Sequence, residues 1–163
     1  MKKLLYLLLC LFTFAGSAQE MSIIPRPAEM QVNKGEFVFN GKVVLCYPKI
    51  KDSGIDAVVD NFVDEMKSAT GVKIAKDRLK NAKMYGFDVL KSCKKGDAHI
   101  VLSIDEAMGE EAYKLSVAPK RIDITAATPA GFFYAFQTLK QLMPRNVMAG
   151  VPDESVKEWS VPA

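Results

Sequence analysis

The chain has 163 residues, a near balance of 22 basic and 19 acidic side chains, and a formal net charge of +3. That balance gives no argument for nucleic-acid binding, which depends on a strong basic excess. Apolar residues make up 49% of the chain, enough for one domain with a real core, and the length leaves little room for a second.

Lys2 and Lys3 precede an apolar run from Leu4 to Phe12, which continues through Thr13 and Phe14 to the small residues Ala15, Gly16, Ser17 and Ala18. This pattern predicts a secretory signal peptide over residues 1–18, cut after Ala18. The run falls well short of the roughly 20 apolar residues that span a bilayer, so no membrane attachment is expected once it is removed. Cys10 lies in the middle of the run, with Leu11 and Phe12 continuing it, which argues against acylation there. The expected location is therefore the periplasm or the exterior. Taking 18 residues from 163 leaves 145, and losing Lys2 and Lys3 lowers the charge from +3 to +1.

Ile23-Ile24-Pro25-Arg26-Pro27 begins an extended segment, because each proline fixes its own φ and pushes its predecessor out of the helical region. Two β-like runs follow, Glu36 to Phe39 and Lys42 to Cys46, and the intervening Asn40-Gly41 predicts a two-residue hairpin turn. Ile55, Val58, Val59, Phe62, Val63 and Met66 then recur at helical spacing within 53–69. Asp52 or Ser53 can cap that helix, and Gly71 can end it in the left-handed conformation. Val72 to Ala75 reads as a short strand, and the stretch from Lys76 to Gly96 as mostly loop. A strand is expected from Ala98 to Ile104. Tyr113, Leu115 and Val117 alternate with Lys114 and Ser116, and Ile122, Ile124 and Ala126 alternate with Asp123 and Thr125. With Pro119-Lys120 between them, these two runs should pair antiparallel. Thr128-Pro129 starts a second helix, with a stripe of Phe132, Phe136, Leu139 and Met143 and a small-residue face at Gly131, Ala135 and Thr138. Pro144 ends it, and residues 145–163, including Trp159, read as loop-like.

Cys46 and Cys93 remain in the mature chain, and an oxidising compartment permits them to pair. The sequence supplies no separation between them, so a disulfide and two free thiols both stand. With one histidine and two thiols 47 positions apart, the chain lacks the ligand spacing of a zinc module, and neither metal nor cofactor is expected. His99 sits between Ala98 and Ile100 in a strand pattern with no nucleophile nearby, the setting of a structural histidine. No phosphate loop, zinc-protease helix or calcium loop occurs. Eight Lys or Arg residues fall between Lys73 and Lys95 with few aromatics among them, which suits a solvated face better than an anion site. Adjacent acids can serve glycoside chemistry when one stays protonated. Here Asp64-Glu65, Asp105-Glu106 and Asp153-Glu154 fall on a helix's polar side, in a turn and in the tail. No catalytic residue is expected among them.

Three segments in this order carry a resemblance: Ile23-Ile24-Pro25-Arg26-Pro27; Glu111-Ala112-Tyr113-Lys114-Leu115-Ser116-Val117; and the run from Gly131 through Phe132, Phe133, Tyr134, Ala135, Phe136, Gln137, Thr138, Leu139 and Lys140 to Gln141 and Leu142. Together they resemble the N-terminal accessory domain of family 20 glycoside hydrolases, the β-N-acetylhexosaminidases. The resemblance implies an α+β fold, a mostly antiparallel (mixed) β-sheet with two α-helices packed on one face. It further implies a catalytic (β/α)8 barrel in the same polypeptide, which alone would meet the glycan; there a Glu protonates the leaving oxygen and an Asp orients the substrate acetamido group. No residue of this chain matches that catalytic motif. Residues 19–145 would be the accessory domain and 146–163 a linker toward the barrel, with Gly131, Ala135, Gln137, Thr138, Gln141 and Trp159 as candidate contacts for it. The chain alone is then expected to be inactive. A second reading is a free-standing periplasmic carbohydrate-binding module using Trp159, Tyr47 and Tyr85; a third, a small hydrolase of unrecognised type, has only the lone histidine behind it.

Overall fold

Helical and alternating periods in the sequence become two sheets and a helical layer in the computed structural model, which describes residues 23–51, 54–80 and 92–163. The readings made on residues 1–18, on Asp52 and Ser53 as caps and on Tyr85 fall outside the described residues. In chain order the elements are β1 (Glu36–Val38), β2 (Val43–Pro48), α1 (Ile55–Thr70), β3 (Ile74–Leu79), β4 (Ala98–Ile104), β5 (Tyr113–Ala118), β6 (Arg121–Ala126), α2 (Pro129–Gln141), α3 (Arg145–Ala149) and β7 (Ser160–Pro162). The main sheet has the order β3-β2-β4-β6-β5, and β1 pairs with β7 in a small second sheet.

The α+β class and the mixed sheet stand as expected, but the balance of strand directions does not. In the main sheet β2 runs parallel to both β3 and β4, and β4 parallel to β6; only β5 and β6 are antiparallel. The cause is α1, which carries the chain back after β2 so that β3 starts beside it in the same direction. The β5–β6 hairpin turns at Pro119-Lys120 with Tyr113 opposite Ala126, as the alternation predicts.

Asn40-Gly41 does turn the chain, with Gly41 at φ 60°, yet it makes no hairpin. Both edges of β2 are taken by β3 and β4, so β1 pairs instead with β7, with Phe37 opposite Val161. The third strand is longer and later than its apolar pattern suggests, covering Ile74–Leu79, because charged Lys76 and Arg78 point toward acids on α1 rather than into a core. The tail is likewise not all loop: it forms α3 and β7, and Trp159 and Val161 are buried.

Both long helices lie on one face of the main sheet. Ile55, Val59, Phe62 and Met66 of α1 join Phe132, Phe136 and Leu139 of α2 over Val43, Leu45, Ile100, Ile122 and Ile124. Phe62 and Phe136 stack with centroids 4.1 Å apart and planes 6° from parallel. Each such side chain contributes roughly 1.5–3 kcal/mol on burial. Gly71 ends α1 at φ 73°, donating to Lys67 O, and Thr128 caps α2 by accepting from the Gly131 N–H. On the opposite face Val44, Cys46, Leu79 and Val101 form a smaller apolar cluster.

Candidate docking face

The inner side of α2 is taken up by the domain's own sheet. A Cβ on Gly131 would stand 2.5 Å from the Ala112 carbonyl oxygen and 2.8 Å from the Ala126 Cβ, so this helix backbone rests directly on β6 and the approach to β5. Ala135 is fully buried. The Thr138 hydroxyl is 2.6 Å from the Tyr113 hydroxyl. Trp159 is buried in the main core, its carbonyl accepting from the Phe39 N–H at 2.8 Å. Four of the six residues expected to contact a barrel are thus spent inside the domain. Gln137 and Gln141 are only half-buried. Gln141 grips the N-terminal arm: its Oε1 accepts from Ile24 N and its Nε2 donates to Ile24 O, both at 2.8 Å.

The residues that do face outward are Phe133 and Tyr134, each 40% exposed, with rings edge-to-face at 5.5 Å. Their signal was present in the sequence: they share spacing with Gln137 and Gln141 and miss the stripe of Phe132, Phe136 and Leu139. Ile24, Met148 and Val151 are also exposed large apolar side chains, and they belong to the arm held by Gln141, to α3 and to the residues just after it. The buried Lys140 ammonium meets Glu65 Oε2 at 2.5 Å and ties α2 to α1.

No catalytic arrangement forms among the described residues. Glu65 is engaged by Lys140, Asp105 accepts from the Ala107 N–H, and Asp153 accepts from both the N–H and hydroxyl of Ser155, which hold its carboxyl below the usual range. The three acidic pairs sit on different elements, and His99 Nε2 lies 3.2 Å from the Lys94 carbonyl. No buried side-chain nitrogen or oxygen lacks a partner among those residues. A polar hollow of about 540 Å³ beside β3 is lined by ion pairs already matched, Arg78 with Asp56 and Lys76 with Asp60. Tyr47 donates to Asp56 there at 2.9 Å, and burial, followed by that hydrogen bond, pushes its hydroxyl up to about 12. A groove of about 730 Å³ runs between the arm and edge strand β5. Cys46 and Cys93 are joined in a disulfide, with Cα atoms 6.1 Å apart.

The sequence profile of glycosyl hydrolase family 20, domain 2, matches residues 20–163. The chain belongs to this family. The family 20 domain is similar in fold to part of an N-acetyl-β-hexosaminidase from Streptomyces plicatus (TM-score 0.64, 23% identity, 86% of this chain and 24% of that one). It is also similar to part of a GH20 exo-β-N-acetylglucosaminidase from Vibrio harveyi (0.60, 20%, 86% and 18%). A third is a β-N-acetylhexosaminidase from Bacteroides fragilis (0.55, 23%, 86% and 23%). A comparison with curated proteins matches none of them. The family 20 domain thus spans about a fifth to a quarter of the length of these solved relatives.

Proposed function

We propose that this domain is the non-catalytic supporting domain of an exported β-N-acetylhexosaminidase, holding the catalytic barrel through the outer side of α2 and α3. One observation carries the reading: the exposed aromatic pair Phe133 and Tyr134 lies on the helical layer of a domain whose acidic pairs are scattered over different elements, with Glu65, Asp105 and Asp153 each held by a neighbour within the domain. An apolar face of this kind fits a partner surface that also buries apolar side chains. The partner is the barrel of the same polypeptide, as the family match and the short coverage of its relatives support. Removal of terminal N-acetylhexosamine from glycans belongs to that barrel.

The test has two arms. Purified 19–163 is expected to leave a chromogenic N-acetylglucosaminide intact, and detectable turnover would defeat the claim of inactivity. Deleting the domain from a full-length family 20 polypeptide should lower the melting temperature of the catalytic part by several degrees; an unchanged value removes the supporting role. The binding-module reading has less behind it, because Tyr47 and Trp159 are buried and offer a sugar no ring face.

A further inference from the structure

Cys46 has no exposed surface and lies in the apolar cluster with Val44, Leu79 and Val101, while Cys93 is half-buried. Opposite Cys46 in the parallel register stands Asp77, itself buried. A carboxylate oxygen of Asp77 and the two sulfurs all lie within 4.8 Å of one another. Asp77 also accepts from the Lys94 N–H at 2.6 Å, and the Lys94 ammonium, mostly exposed, stands 3.6 Å away. An anionic group is therefore fixed beside a disulfide, with its counter-charge on a side chain that solvent screens.

We propose that Asp77 guards the Cys46–Cys93 bond against thiol reductants, so that the bond survives where an ordinary exposed disulfide is broken. The attacking species in exchange is a thiolate. It can reach only the Cys93 sulfur; a bond forms there, the S–S bond breaks, and the electron pair leaves on Cys46, which then takes a proton from water. A second reductant thiolate attacks the reductant's sulfur in the mixed disulfide and frees Cys93, leaving an oxidised reductant disulfide. Negative charge arrives at one sulfur and accumulates on the other, both within 4.8 Å of the Asp77 carboxylate. The departing Cys46 thiolate is also left among apolar side chains, which disfavour it.

The experiment follows reduction of the purified protein by mass spectrometry after alkylation, using 2-mercaptoethanesulfonate (anionic) and cysteamine (cationic), with rates normalised to thiolate concentration. The ratio of the cysteamine rate to the sulfonate rate is expected to fall about tenfold in Asp77→Asn and to rise in Lys94→Gln, both changes shrinking in 1 M salt. Both rates are expected to rise in Asp77→Asn, because the attacking thiolate and the leaving sulfur carry negative charge whichever reductant is used. Unchanged rates with both thiols, or equal rises together with an unchanged ratio in Lys94→Gln, would mean that Asp77 only fastens Lys94, and the proposal falls. If Asp77→Asn does not fold, by circular dichroism, Lys94→Gln decides: an unchanged ratio overturns the guard.

Discussion

Lys140 shows how one buried charge can organise two helices. Its side chain is 6% exposed, and among the described residues its ionic partner is Glu65, at 40%. Exposed pairs contribute little, but removing one partner of a buried charge leaves the other unpaired. Glu65→Gln is therefore expected to cost about 1–2 kcal/mol, discounted for the exposure of Glu65, as read from urea unfolding at pH 7; a loss below about 0.3 kcal/mol would make the pair ornamental. Tyr47 gives a pH signature. Its hydroxyl is raised from 10.0 to about 12 in the fold, so the unfolded chain loses that proton first as pH rises. The stability tied to this group is whole below pH 10 and drains between pH 10 and 12. Tyr47→Phe should flatten that decline relative to the parent protein in denaturant titrations from pH 9 to 11.5. Parallel curves for the two proteins would refute the assignment.

At the level of elements, what was legible followed from local pattern. The α1 and α2 stripes, the Gly71 stop, the Thr128-Pro129 start and the β5–β6 hairpin each depend on residues close together in sequence. What was missed depends on partners far away. Asn40-Gly41 has the chemistry of a hairpin turn, but the competing edges of β3 and β4 decide what β2 pairs with. Lys76 and Arg78 break an apolar alternation that Asp60 and Asp56 of α1 make tolerable. The same blindness applies to the docking face: the sequence marks Gly131, Ala135 and Thr138 as a surface that another backbone can approach, and the fold sets the domain's own Ala112 carbonyl against Gly131. Trp159 tests whether the tail is integral. Its burial beside the β1–β7 pair predicts that Trp159→Ala costs about 3–5 kcal/mol, whereas a passive linker residue would leave the urea midpoint unmoved.

For the whole molecule, the placement of apolar surface is the informative quantity. Among the described residues, every exposed large apolar side chain lies on the arm, on α2, on α3 or just after α3, with Met30 and Val32 completing the arm. None lies on the sheet, and no helix there is long and apolar enough to cross a membrane. Phe133→Glu combined with Tyr134→Glu should leave the domain's own unfolding within about 0.5 kcal/mol, as surface changes usually do, yet loosen its hold on the barrel in a full-length polypeptide. Unchanged protease resistance at the junction would place the contact elsewhere. The clasp between β1 and β7 has a mechanical consequence. Asn33 N donates to Ala163 O at 2.7 Å and Ala163 N to Gly35 O at 3.0 Å, which brings two points 130 positions apart to within one peptide of each other. A pull applied between them would be borne first by this short ladder, leaving the phenylalanine-lined helices unloaded until it unzipped.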